Sequence, residues 1–145
     1  MTPLLFDDLR RDEGCTLHCI PDPITKGPPW TIGYGHTGPE VHPGLVWTLD
    51  QCETALQADV SAAVSGLDRN LPWWRTLDDV RQDALANMAF NMGNARLRGF
   101  VRFLTALKAH DFPNASAEML DSLWARQVKA RATRLAGMIR TGQRA

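Results

Sequence analysis

The sequence predicts an α+β fold, mainly α, built as two lobes of a single domain. Three observations predict it. Most of the 145 residues repeat apolar side chains at helical spacing. One short run, Trp30 to Gly35, alternates as a strand does. Proline and glycine punctuate residues 21–44, between these patterns. The expected order is a small β-containing lobe over about residues 14–48, a connecting helix over about 49–67, and a helical larger lobe over about 67–145 that also takes the N-terminal helix.

Each element has its own warrant. Pro3 suits the first turn of a helix, and Leu5, Phe6 and Leu9 give it one apolar stripe. That helix should run to about Asp12–Gly14, placing Glu13 near its C-terminal end. The helix dipole disfavours a bare carboxylate there, which suits a group that holds a proton to donate. Pro21, Pro23, Gly27, Pro28 and Pro29 make the next stretch a loop. In the alternating run, Trp30, Ile32 and Tyr34 should face the core, with Thr31, Gly33 and Gly35 facing out. Thr48-Leu49-Asp50-Gln51 reads as a capping box. The helix after it carries Leu56, Val60, Ala63/Val64 and Leu67 on one face and should end before Pro72. Thr76-Leu77-Asp78-Asp79 opens another helix, closed by Gly93-Asn94. A helix from Gly99 holds Phe100, Phe103, Leu104 and Leu107, and Pro113 should break it. Ser116 begins a segment with Met119, Leu120, Leu123 and Trp124. A last helix holds Leu135, Ala136 and Ile139 before Gly142.

Composition narrows the function classes. An apolar fraction of 44% is too high for a disordered chain. The net charge is zero but unevenly spread: residues 1–60 carry nine acidic and three basic side chains, while Ser122 to Ala145 holds six basic residues and no acid. A basic end can favour an anionic polymer, or it can be a solvated helix face. Three cysteines cannot all pair within one chain, which fits synthesis in a reducing compartment. Cys15 and Cys19 would share a helix face if the first helix reached that far; with His18 they lack a second paired cluster, so no metal and no cofactor is expected. Small buried apolar roles suit the cysteines better. No apolar run approaches the ~18 residues that span a bilayer, and Met1 to Asp8 does not read as a secretory signal.

The chemistry-bearing residues lie early in the chain. Glu13, then Asp22, then Thr31 among the glycines of Thr31-Ile32-Gly33-Tyr34-Gly35-His36, form a set suited to cleaving a glycosidic bond. One group must protonate a leaving oxygen while another activates or positions water. Glycines in that run let a bulky ligand approach the backbone. Asp22, between two prolines, also has the character of a turn residue. His36 reads as a structural hydrogen-bonding residue, and Phe90 and Met92 as core.

Asp12-Glu13-Gly14, Asp22, and Thr31 through His36 resemble the phage-type lysozymes, the muramidase endolysins of glycoside hydrolase family 24. Leu77-Asp78-Asp79-Val80-Arg81 through Ala86 to Gly93, Gly99-Phe100, and Ile139 to Gly142 strengthen the resemblance over nearly the whole chain. It implies a lysozyme-like fold and an enzyme that hydrolyses the β-1,4 bond between N-acetylmuramic acid and N-acetylglucosamine. Glu13 would be the general acid, with water placed by Asp22 and Thr31 and inversion at the anomeric centre. Gly35, His36, Phe90, Asn91 and Gln127 would line the substrate site, and Arg131 would pair with the catalytic glutamate. The implied partners are peptidoglycan and a pore-forming holin that releases a monomeric protein, made in the host cytoplasm, to the periplasm. Neither nucleic acid nor stable membrane insertion is expected. A lytic transglycosylase and a non-catalytic wall-binding module are the alternatives. The chain departs from the family where eight residues separate Asp22 from Thr31, a longer spacing than usual, and where Leu123 stands in place of a common arginine.

Overall fold

A computed structural model describes residues 1–144. It is mainly helical with one small antiparallel sheet, an α+β fold. The elements run α1 (Leu4–Glu13), β1 (Thr16–Ile20), β2 (Thr31–Gly33), α2 (Leu49–Asn70), a 3-10 turn (Pro72–Thr76), α3 (Asp79–Met92), α4 (Asn94–Arg98), α5 (Val101–Lys108), α6 (Phe112–Leu120), α7 (Leu123–Val128) and α8 (Ala130–Thr141). Two compact units result: Phe6–Ala62, and Met1–Leu5 with the residues from Ala63 on. No helix of the described residues is long and apolar enough to cross a membrane.

In the Phe6–Ala62 unit, α1 ends at Glu13 as expected. Gly14 follows with φ +64, and its N–H bonds back to the Arg10 carbonyl, closing the helix. The chain then enters β1 rather than prolonging the helix, so Cys15 and Cys19 do not share a helix face. Cys15 is exposed and Cys19 half-buried; only Cys52 is a buried apolar residue. Strand β1 pairs antiparallel with β2, Thr16 facing Gly33 and Ile20 facing Thr31 across an irregularity. Its other edge takes the segment around Val46, with Cys19 donating to Leu45 and Trp47 donating to Leu17. The expected alternation from Trp30 to Gly35 is not seen. Only three residues are extended, Thr31 is buried with Ile32 and Gly33, and Trp30 is half-buried. A tight turn follows in which Ile32 and His36 exchange both backbone bonds, with Gly33 and Gly35 at positive φ. Such a turn pulls the strand's end out of a regular pleat.

Helix α2 begins with the predicted capping box. The Gln51 N–H donates to Thr48 Oγ1 at 3.2 Å, and the Thr48 N–H donates to Gln51 Oε1 at 2.8 Å. The helix runs three residues past expectation, to Asn70, before Pro72 ends it.

The other unit is packed around α3. Asp78 caps it by accepting from the Arg81 N–H. From Gln82 to Ala89 every residue is buried, so this stretch has no solvent-facing side, and its polar residues Gln82, Asp83 and Asn87 are hydrogen-bonded internally. Helix α8 packs on α3, α6 and α7, and α5 packs on α6. Trp74, Met88, Phe103, Leu107, Trp124 and Ile139 fill the space between them. Pro113 does not break the preceding helix. Helix α5 has already ended at Lys108, and the proline sits in the first turn of α6, where its missing N–H costs nothing. The segment expected to begin at Ser116 is two helices, α6 and α7, parted at Asp121-Ser122, with Ser122 capping the second. Arg81 closes α8 by donating to the carbonyls of Ile139 and Arg140, while Gly142 takes the left-handed conformation.

Candidate active site

Glu13 is the last residue of α1, half-buried, with its carboxylate against the turn after β2. A Cβ on Gly35 would stand 2.5 Å from Glu13 Oε2 and 3.0 Å from its Cδ, and Gly35 has φ +69. The positive φ favours glycine, and its missing side chain lets the acid lie against the backbone of this turn.

The helix carrying Glu13 is fastened from its side. Arg10 donates from Nε and Nη2 to the two carboxylate oxygens of Glu53 on α2, at 3.0 and 2.8 Å. The Tyr34 hydroxyl donates to Glu53 Oε1 at 2.9 Å. Arg10, and then Tyr34, hold the Glu53 carboxyl below its usual range. The same bond to Glu53, with burial, pushes the Tyr34 phenol up to about 12, so it remains a donor. Thus α1, α2 and the turn holding Gly35 are joined at one carboxylate.

Asp22 is also partly buried, and its side chain works locally. Oδ1 accepts the backbone N–H groups of Ile24 and Thr25 at 2.8 and 2.9 Å. Its own N–H donates to the Gly27 carbonyl, and its carbonyl accepts from Lys26. The loop from Asp22 to Gly27 is therefore a closed ring with the carboxylate at its root. A cis Pro28–Pro29 bond follows. Thr31 is 9% exposed and pairs with Ile20, two residues before Asp22. The sheet thus brings Thr31 next to the start of the Asp22 ring.

His36 lies between two carboxylates. Nδ1 is 2.7 Å from Asp59 Oδ2 on α2, and Nε2 is 2.5 Å from Glu40 Oε1. The ring leans on Trp47 at 5.3 Å between centroids. Burial alone would favour the neutral imidazole, but the bonds to Glu40 and Asp59 outweigh it, and the His36 pKa is raised. Both ring nitrogens are therefore committed to structural bonds.

The remaining site residues belong to the helical unit. Phe90 and Asn91 lie half-buried at the end of α3. Asn91 Oδ1 accepts from Trp124 Nε1 at 2.7 Å. Gln127 Oε1 accepts from Arg96 at 3.1 Å. Arg131, buried on the first turn of α8, donates from Nε to Asn87 Oδ1 at 3.0 Å. Sequence reasoning missed the supporting groups Arg10, Glu40, Glu53, Asp59 and Asn87. Their partners are mostly distant in sequence, so no local spacing marks them.

The fold and these residues define a class. The phage lysozyme family description matches residues 10–144, and the chain belongs to that family. The pre-baseplate central spike protein Gp5 of Enterobacteria phage T4 is 35% identical over 159 aligned positions, covering 92% of this chain and 27% of that protein. An endolysin of Bacillus phage B103 is 38% identical over 94 positions, covering 63% of this chain and 34% of the endolysin. A probable T4-type lysozyme 2 of Dictyostelium discoideum is 27% identical over 169 positions, covering 98% and 96%. The chain thus spans only about a quarter to a third of the two viral relatives.

Proposed function

We propose that this chain is a muramidase that hydrolyses the β-1,4 bond between N-acetylmuramic acid and N-acetylglucosamine of peptidoglycan. The observation that carries the reading is the Glu13 carboxylate seated against Gly35, in a chain matched to the phage lysozyme family over residues 10–144. Glu13 acts as general acid on the leaving glycosidic oxygen. Asp22 and Thr31 place the attacking water, and inversion follows from attack on the opposite face. Gly35, His36, Phe90, Asn91 and Gln127 bind the glycan. His36 does so indirectly, by fixing the turn after β2. The protein works as a monomer on periplasmic peptidoglycan. Release from the host cytoplasm by a holin belongs to this endolysin role.

The test is Glu13→Gln. Lysis of permeabilised Gram-negative cells should fall by at least ~10³-fold, about 4 kcal/mol of transition-state stabilisation. The circular dichroism spectrum should not change. Retained lysis at the wild-type rate would end this reading.

One observation favours a second reading. Asp22 Oδ1 already accepts two backbone N–H groups, as a purely structural aspartate would. A lytic transglycosylase needs a single acid/base carboxyl, because the muramic 6-hydroxyl attacks internally. It would leave 1,6-anhydro ends on digested wall, visible by mass spectrometry, and would tolerate Asp22→Asn. Reducing ends and an inactive Asp22→Asn variant support the hydrolase.

A further inference from the structure

Two cysteines outside the proposed chemistry meet in the Phe6–Ala62 unit. Cys15 is exposed just after α1, and Cys52 is fully buried on the first turns of α2. The sheet brings them together. Thr16, next to Cys15, faces Gly33 across the ladder. Cys52 Sγ lies 4.0 Å from the Thr16 carbonyl oxygen. Both Cβ and Sγ of Cys52 would be 3.4 Å from a Cβ built on Gly33. The Cys15 side chain is among the groups that raise the Cys52 pKa, as its place one residue from Thr16 leads one to expect. Cys19 is on the strand itself, where its N–H bonds to Leu45 on the other edge.

We propose that Cys15 and Cys52 form an oxidation site at which a small-molecule disulfide produces an intrachain Cys15–Cys52 disulfide. Exposed Cys15 reacts first. As thiolate it attacks one sulfur of the reagent, forming a mixed disulfide and expelling one small thiol. Cys52 then gives up its proton and attacks the Cys15 sulfur, expelling the second small thiol. Two protein thiols and one reagent disulfide thus become one protein disulfide and two free thiols, with no other reductant or oxidant. Burial, and then the Cys15 contact, push the Cys52 thiol up to about 11, which sets this order of attack. The new bond closes the loop that contains Asp22, Thr31, Gly35 and His36. It ties the residue two beyond Glu13 to the residue before Glu53, so it reinforces covalently the junction that the Arg10–Glu53 ion pair makes electrostatically.

The test uses the Cys19→Ser chain, in which Cys15 and Cys52 are the only thiols, treated with oxidised glutathione while folded. Non-reducing digestion and mass spectrometry should show a Cys15–Cys52 cross-linked peptide in a monomer. The melting temperature should rise by on the order of 5–10 °C and return with dithiothreitol. Adding Cys15→Ser should abolish both results. Glutathione left as a stable adduct on Cys15, a Cys15-linked dimer, or two unreacted thiols would each overturn the proposal. A cross-link without a rise in melting temperature would overturn its fit to the folded chain.

Discussion

Each unit is stabilised internally by different physics. The helical unit relies on volume: α3 is buried on every side from Gln82 to Ala89, with tryptophans, leucines and methionines around it. The Phe6–Ala62 unit has little sheet and few large core residues. Its shape rests on charged junctions: Arg10 and Tyr34 on Glu53, Asp59 and Glu40 on His36, and backbone amides on Asp22. The difference teaches where environment should matter. Dispersion and apolar burial are indifferent to pH and change little with sodium chloride, whereas half-exposed ion pairs respond to both.

Four perturbations test that contrast, from the largest effect down. Leu85→Ala, in the middle of α3, should lower stability by about 2–5 kcal/mol in urea unfolding. The loss should be the same at pH 5 and pH 8 and in high salt; a strong salt dependence would break the comparison. Glu53→Gln should cost about 1–2 kcal/mol, the worth of charge-assisted bonds discounted for partial exposure. That cost should shrink in ~1 M salt. Because the Glu53 pKa is lowered from 4.5, its contribution is complete above that value and disappears as pH falls through the lowered one. The variant should therefore lose less stability than wild type on acidification.

His36 gives the opposite sign. Its pKa is raised from 6.5, so its contribution is complete below that value and is lost as pH rises through the raised one. Asp59→Asn should cost roughly 1 kcal/mol near pH 6 and progressively less at higher pH, read from melting curves across that range. A pH-independent cost would mean that His36 is held by packing. The smallest change is Thr48→Ala, which removes one capping bond of α2. It should cost about 0.5 kcal/mol, a melting shift of about 1–2 °C that salt leaves nearly unchanged.

Local signals made much of this fold legible. The Thr48/Gln51 box predicted both of the bonds that start α2, and Asp78 opens α3 where the acidic run indicated. Glu13 falls at a helix end because Pro3, an apolar stripe and Gly14 bound that helix. Strand β1 was not legible: its five residues show no period-two alternation in burial, the signal by which a half-buried strand is read. Five-residue α4 is too short to show a period. Pro113 was misread because a proline that cannot continue one helix begins the next equally well. At the site, the turn character of Asp22 was readable from its flanking prolines. The partners of His36 and Tyr34 were not, because they are chosen by how α2 lies against the turn after β2.

The Asp22 ring has an engineering consequence. A segment whose first residue grips its own interior amides is anchored at its root, and its tip carries no part of the sheet. Because Ile24, Thr25, Lys26 and Gly27 all bond back to Asp22, a change of chain length inside the ring would loosen that root, whereas a change to an outward side chain would not. Lys26, exposed and at φ +65, therefore suits a fluorophore coupled to its side-chain amine, which leaves its backbone bond to Asp22 in place.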